Sequence, residues 1–172
     1  MTEAVAAEVL AELDRRGQTL ATAESLTGGL LGAVLTTVPG ASRSYLGGVI
    51  SYATRLKSEL AGVDEATLVE VGPVASRTAE EMAVGVARRC RADWGIATTG
   101  VAGPDPQNGH PVGQVFVAVA RPAESRVQVR ELAAAGDRAA IRRHATLGAL
   151  QLLAELLGMP NGPLGVETLG ET

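Results

Sequence analysis

"QTLATAESLTGGLLGAVLTT", residues 18–37, is the stretch on which the fold turns. Residues 18–24 read as a strand, and 27–37 read as a helix that Pro39-Gly40 breaks. Ser25 stands at the handover. A strand that feeds a helix so directly is the opening of a βαβ crossover, which is right-handed and implies a parallel sheet.

The flanking chain extends this pattern. Upstream, residues 3–16 carry Val5, Val9, Leu10 and Leu13 at helical spacing, and Gly17 ends that helix. Downstream, "YLGGVISYA" (45–53) reads as a strand, followed by short helices near 54–61 and 64–70. Ser76 is the expected N-cap of a helix over 77–92, and Trp94–Thr99 is a short apolar strand. Residues 100–113 form a loop dense in Gly and Pro. "QVFVAVARP" and "RVQVRELAA" are joined by so few residues that they should pair antiparallel. Asp137 caps a last helix, 138–157, with a buried stripe of Ile141, Ala145, Gly148, Leu152 and Leu156. The expected fold is α/β: a three-layer α/β/α sandwich around a mixed, mostly parallel sheet. Residues 1–158 are read as one domain and 159–172, which lack periodicity, as a loose tail.

Composition narrows the function. Hydrophobic residues make up 46% of the 172 and aromatics only 2%, so the core must be built from Ala, Val, Leu and Ile. A net charge of -4 argues against a nucleic-acid surface, and the scarcity of aromatics argues against stacking on single strands. The cluster Arg88, Arg89 and Arg91 reads as a solvated helix face. One cysteine, Cys90, excludes an internal disulfide and fits a cytoplasmic protein. The acidic, amphipathic start is not a signal peptide, and no apolar run reaches membrane-spanning length.

In open α/β sheets ligands gather beyond the carboxyl ends of the parallel strands, where the loops at Ser25 and at Gly100 fall. Backbone N–H groups of Thr27, Gly28 and Gly29, unpaired at a helix start, favour negative charge beside the Ser25 hydroxyl. That is the arrangement of a nucleophile next to an oxyanion hole, and the same residues also fit ordinary helix capping. A nucleophile needs a base. His110 and His144 carry no local signature of a serine–histidine pair and are too few for a metal cluster. Of 15 Lys and Arg residues, 14 are arginine and Lys57, in "SYATRLK", is the one lysine. Arginine supplies fixed charge; lysine alone can lose its proton and act as a base. Tyr52, one of two tyrosines, stands five residues before it and can orient the amine or fill the core. Glu24 should point to the opposite face from Ser25, as a structural acceptor. In "TTGVAGPDP", Gly100, Ala102 and Gly103 allow a ligand close to the backbone, and Asp105 reads as a turn residue. Arg138 and Arg142, one turn apart at the start of the last helix, either bind a phosphate monoester or are solvated.

Taken together, "AESLTGG", "SYATRLK", "TTGVAGPDP", "PVGQVFVAVA" and "GDRAAIRRHATLGALQLL" resemble, in order, the CinA C-terminal domain family, the nicotinamide-nucleotide amidases. The resemblance spans about residues 3–157. It implies deamidation of nicotinamide mononucleotide to nicotinate mononucleotide and ammonia, in pyridine-nucleotide salvage. Ser25 is then the nucleophile and Lys57 the base, with Tyr52 assisting, and no metal or organic cofactor is expected. The implied partner is a small nucleotide substrate, with no nucleic acid and no membrane; homo-oligomer formation stays open. The family often carries a further N-terminal domain, and this chain has the look of the stand-alone form. Two other readings are kept: a non-catalytic interaction module of the competence or DNA-damage response, and an amidase for another small carboxamide.

Overall fold

A computed structural model describes residues 1–159, so the expected tail lies, Met159 apart, outside the described residues. Five strands form one sheet in the order β2-β1-β3-β4-β5. They are β1 (Leu20–Glu24), β2 (Tyr45–Ile50), β3 (Trp94–Gly100), β4 (Gln114–Arg121) and β5 (Arg126–Ala133). β1 runs parallel to both β2 and β3, while β3–β4 and β4–β5 are antiparallel. Only β4 therefore opposes the common direction. The fold is the expected α/β sandwich around a mixed sheet.

Six helices cover the two faces: α1 (Thr2–Arg16), α2 (Leu30–Thr36), α3 (Thr54–Glu59), α4 (Glu65–Glu70), α5 (Ser76–Cys90) and α6 (Arg138–Leu156). On one face α1, α2 and α6 pack Val9, Leu13, Leu31, Leu35, Ile141 and Leu152 against Leu20, Ile96, Val117 and Val119. All five residues of the stripe expected on α6 are buried. On the other face the strands present mostly alanine, at positions 21, 23, 97, 118 and 120, to Ala79, Met82, Ala83 and Val86 of α5. Small residues on both sides let α5 lie almost on the sheet: a Cβ at Gly95 would sit 2.0 Å from the Ala83 carbonyl oxygen. A Cβ at Gly85 would sit 1.9 Å from the Ala61 carbonyl oxygen. Gly85→Ala must push backbone apart, so its urea midpoint is expected to fall by the equivalent of about 2–3 kcal/mol.

Helix starts differ from expectation in two places. Ser76 is the first helical residue of α5; Ala75 occupies the N-cap and no side chain caps the helix. α2 begins at Leu30, because residues 26–29 turn before the helix settles, with Gly28 and Gly29 at φ 57° and 97°. Asp137 caps α6 as expected, accepting from the Ala140 N–H.

Candidate active site

β1 ends where Ser25 begins, and the sheet pins that end from both sides. The Ser25 N–H donates to the Thr98 carbonyl of β3, and the Ser51 N–H donates to the Glu24 carbonyl. Ser25 is 8% exposed and so faces a pocket, not open solvent. Lys57 projects from α3 beneath it and is 2% exposed. Its Nζ lies 2.8 Å from Ser25 Oγ and donates to the Ser51 carbonyl at 2.9 Å. Neither bond is to a carboxylate. Burial without a counter-ion pushes the ammonium down from its ordinary value to about 8.

Glu24 shapes the corner. Its side chain is buried behind the strand. Oε2 accepts the N–H groups of Gly29 and Leu31 at 2.9 and 3.0 Å, and Oε1 accepts that of Gly32 at 2.8 Å. The carboxylate thus caps α2 from five to eight residues away and does not touch Lys57. This corrects the expected donor set. The Gly29 N–H is held by Glu24, and the Gly28 N–H donates to the Ser25 carbonyl at 3.0 Å. Among the described residues, the N–H groups without a partner at this corner are those of Leu26 and Thr27.

The pocket over Ser25 has about 570 Å³ of space, the open solvent at its mouth included. Ser25, Lys57 and Thr99 line it, and Gly100, Ala102, Gly103 and Asp105 form part of its wall, as do Tyr52 and Arg138. The glycines of that wall meet protein more closely than expected. A Cβ at Gly100 would come within 2.6 Å of the Gln114 carbonyl oxygen, and one at Gly103 within 2.8 Å of Val112 Cγ1. Their bareness admits neighbouring chain as well as lining the pocket.

Two further expectations change. Tyr52 is 57% exposed, and its hydroxyl accepts from Arg138 Nη2 at 2.6 Å, so it sits at the rim and does not orient the amine. Arg138 also donates to the Gly103 carbonyl at 2.7 Å. Arg142 does not join it as a pair facing a ligand: its Nη2 and Nε donate to the Thr27 carbonyl at 2.6 and 3.2 Å. A residue three positions into a tight turn thus takes the charge that helical spacing had assigned to a phosphate. Pro73, Val74 and Gln107 also line the pocket and were not anticipated, since nothing local in sequence ties them to Ser25. His110 bonds Gln114 through Nδ1 at 2.8 Å, and no cluster of three His, Cys, Asp or Glu side chains is placed to hold a metal among the described residues.

The CinA C-terminal domain profile matches residues 2–157. The chain belongs to that family. A CinA-like protein of Frankia casuarinae is 48% identical over 157 residues, covering 91% of this chain and 36% of its own length. One of Gloeobacter violaceus is 46% identical over 152 residues, with 88% and 36% covered. The chain therefore spans about a third of the curated relatives it matches. Among solved structures, a competence-damaged protein (CinA) superfamily protein from Klebsiella pneumoniae superposes with a TM-score of 0.88 at 30% identity, over 92% of this chain and 98% of that one. The competence/damage inducible protein CihA of Agrobacterium tumefaciens gives 0.85 at 33% identity, over 92% and 96%. Among the described residues of this family member, no helix is long and apolar enough to cross a membrane.

Proposed function

We infer that the chain is a serine amidohydrolase that deamidates nicotinamide mononucleotide to nicotinate mononucleotide and ammonia. The observation that carries the reading is the buried Lys57 amine, 2.8 Å from Ser25 Oγ and with no acid beside it. Burial brings such an amine down to about 8, and its neutral form can take a hydroxyl proton.

The mechanism follows from the atoms present. Neutral Lys57 accepts the Ser25 proton as Oγ bonds to the carboxamide carbon. The carbonyl oxygen becomes an oxyanion, taken by the unpartnered N–H groups of Leu26 and Thr27. Lys57 then passes its proton to the departing nitrogen, the C–N bond breaks and ammonia leaves. Ser25 is left as an ester; the same amine takes a proton from a water molecule as its oxygen bonds to the acyl carbon, and returns that proton to Ser25 Oγ as the C–Oγ bond breaks and the acid leaves. Each half-reaction returns Lys57 to its neutral form.

The nucleotide phosphate is assigned to Arg138. Two of its five N–H donors are engaged, by Tyr52 Oη and the Gly103 carbonyl, which leaves three. Arg138→Ala is expected to raise KM for the nucleotide about 10- to 100-fold with a smaller change in kcat, and to leave any turnover of a phosphate-free amide unaltered. Equal loss on both substrates would remove Arg138 from the phosphate.

The deciding experiment measures ammonia from nicotinamide mononucleotide, with free nicotinamide as control. Release from the nucleotide alone is expected. Release only from a different carboxamide would keep the hydrolase and change its substrate. Release from none would leave the chain as a binding module.

A further inference from the structure

Among the described residues, two buried side-chain oxygens have no hydrogen-bond partner, Ser44 Oγ and Ser51 Oγ. A buried hydroxyl left unpaired calls for an explanation. Ser44 lies just before β2, at the end of that strand away from the pocket. Ser51 lies at the other end. The register that pairs Glu24 with Ile50 sets Ser51 beside Ser25, and the two side chains fall on one face of the sheet. Ser51 is 0% exposed, and its own carbonyl is the acceptor for Lys57 Nζ.

Lys57 has an unmet group of its own. A neutral amine has two N–H bonds and one lone pair. The Ser51 carbonyl takes one N–H and Ser25 Oγ–H points at the lone pair, so one N–H remains. A protonated amine has three N–H bonds; the carbonyl and Ser25 Oγ take two, and again one remains. We propose that the Ser51 hydroxyl accepts this remaining N–H when its side chain turns, making Ser51 the positioning residue that keeps the Lys57 lone pair on Ser25 Oγ. The carbonyl and hydroxyl oxygens of one serine are close enough for a single amine to touch both. Held at two points on Ser51, the amine cannot swing its lone pair away from the nucleophile.

The proposal rests on the amidohydrolase reading, and it predicts a direction of change that a packing role does not. A hydrogen bond from an ammonium is stronger than one from a neutral amine, so Ser51 Oγ favours the protonated form. Other ionisable groups near Lys57 are engaged elsewhere. Arg55 and Glu59 on its own helix pair with each other, and Tyr52 bonds Arg138 at the rim. Asp105 lines the same pocket, Glu24 caps α2 behind β1, and Glu81 of α5 bonds Thr67 and Arg77. None is bonded to Nζ.

Because the chain has one lysine, protein labelled with 13C-lysine gives a single side-chain signal whose shift reports the Lys57 titration without substrate. In Ser51→Ala the midpoint is expected to fall by roughly half to one pH unit. The acidic limb of kcat/KM should move down by the same amount while the plateau of kcat drops about 3- to 10-fold. Ser51→Thr should restore midpoint and rate, and Ser44→Ala should move neither. A Ser51→Ala midpoint that is unchanged, or that rises as water enters, overturns the proposal; should the Thr variant not fold, the Ala titration decides alone. If the wild type releases no ammonia, the amidohydrolase reading fails while the titration still answers for Ser51.

Discussion

Lys57→Met is expected to slow ammonia release by roughly a thousandfold or more and, at pH 7, to leave the fold at least as stable as the wild type. Loss of rate follows from loss of the base. Stability follows from where that base is kept. Burial holds the folded pKa at about 8, against about 10.4 in an unfolded chain. Between those values the unfolded chain binds more protons than the folded one, so stability rises with pH across that window and the full penalty is present below it. A gap of between two and three units is worth about 3 kcal/mol. Methionine removes the penalty and deprives the Ser51 carbonyl and Ser25 hydroxyl of a partner, at about 1 kcal/mol each. The net gain at pH 7 is about 1 kcal/mol, and it becomes a loss above about pH 9. Urea midpoints of both proteins from pH 6 to 10.5 measure this directly. Parallel curves would mean that the amine is not desolvated, and near-normal turnover would remove Lys57 as the base. The same pKa governs rate: about a tenth of the molecules hold the neutral amine at pH 7, so wild-type kcat/KM should climb with pH and level off above about 8. Lys57→Arg keeps a charge that cannot be shed, and should be as inactive as the methionine variant.

The sandwich was legible because its signals are local. Strand 18–24, the serine, two glycines and an apolar helix are contiguous, and every later element repeats such a contiguous pattern. The pairing of Ser25 with Lys57 was legible for a different reason: a composition with one lysine makes that residue stand out. What stayed hidden depends on which donors meet which acceptors across the fold. Glu24 was readable as a structural acceptor, but that it would hold the N–H groups of Gly29, Leu31 and Gly32, and so move the unpartnered pair back to Leu26 and Thr27, depends on how the turn at 26–29 closes. Arg138 and Arg142 share a helix face, yet one reaches Tyr52, 86 residues away in sequence, and the other reaches Thr27, 115 away. Helical spacing reports which side chains are neighbours on their own element, not which carbonyl lies opposite each. Ser76 shows the smaller version of this error, a good capping residue placed one position inside the helix.

Glu24→Ala is expected to destabilise the protein by about 4 kcal/mol or more, a large share of a total stability of about 5–15 kcal/mol. Three backbone N–H groups lose a charged acceptor in a place where water does not readily replace it. Glu24→Gln separates charge from shape. The amide has one acceptor oxygen and one donor nitrogen, but the site presents donors on both sides. If the oxygen serves Gly29 and Leu31, the nitrogen faces the Gly32 N–H; flipped, it faces the other two. At least one repulsive contact remains either way, and Gly32 has no room to retreat, since even a Cβ there would lie 2.9 Å from Tyr45 Oη and 3.3 Å from Glu24 Oε1. The expected cost is about 2–3 kcal/mol, read as a fall in melting temperature of roughly 5–10 °C. Activity should fall as well, because the turn that Glu24 holds carries the Leu26 and Thr27 N–H groups, and a donor shifted from the oxyanion loses much of its effect. The pH at which kcat/KM levels off should stay near that of the wild type, since Lys57 is bonded to Ser25 and Ser51 and not to Glu24. A Glu24→Gln protein that melts like the wild type would show that the carboxylate does not hold the corner. One whose acidic limb shifts would place Glu24 in the proton transfer itself.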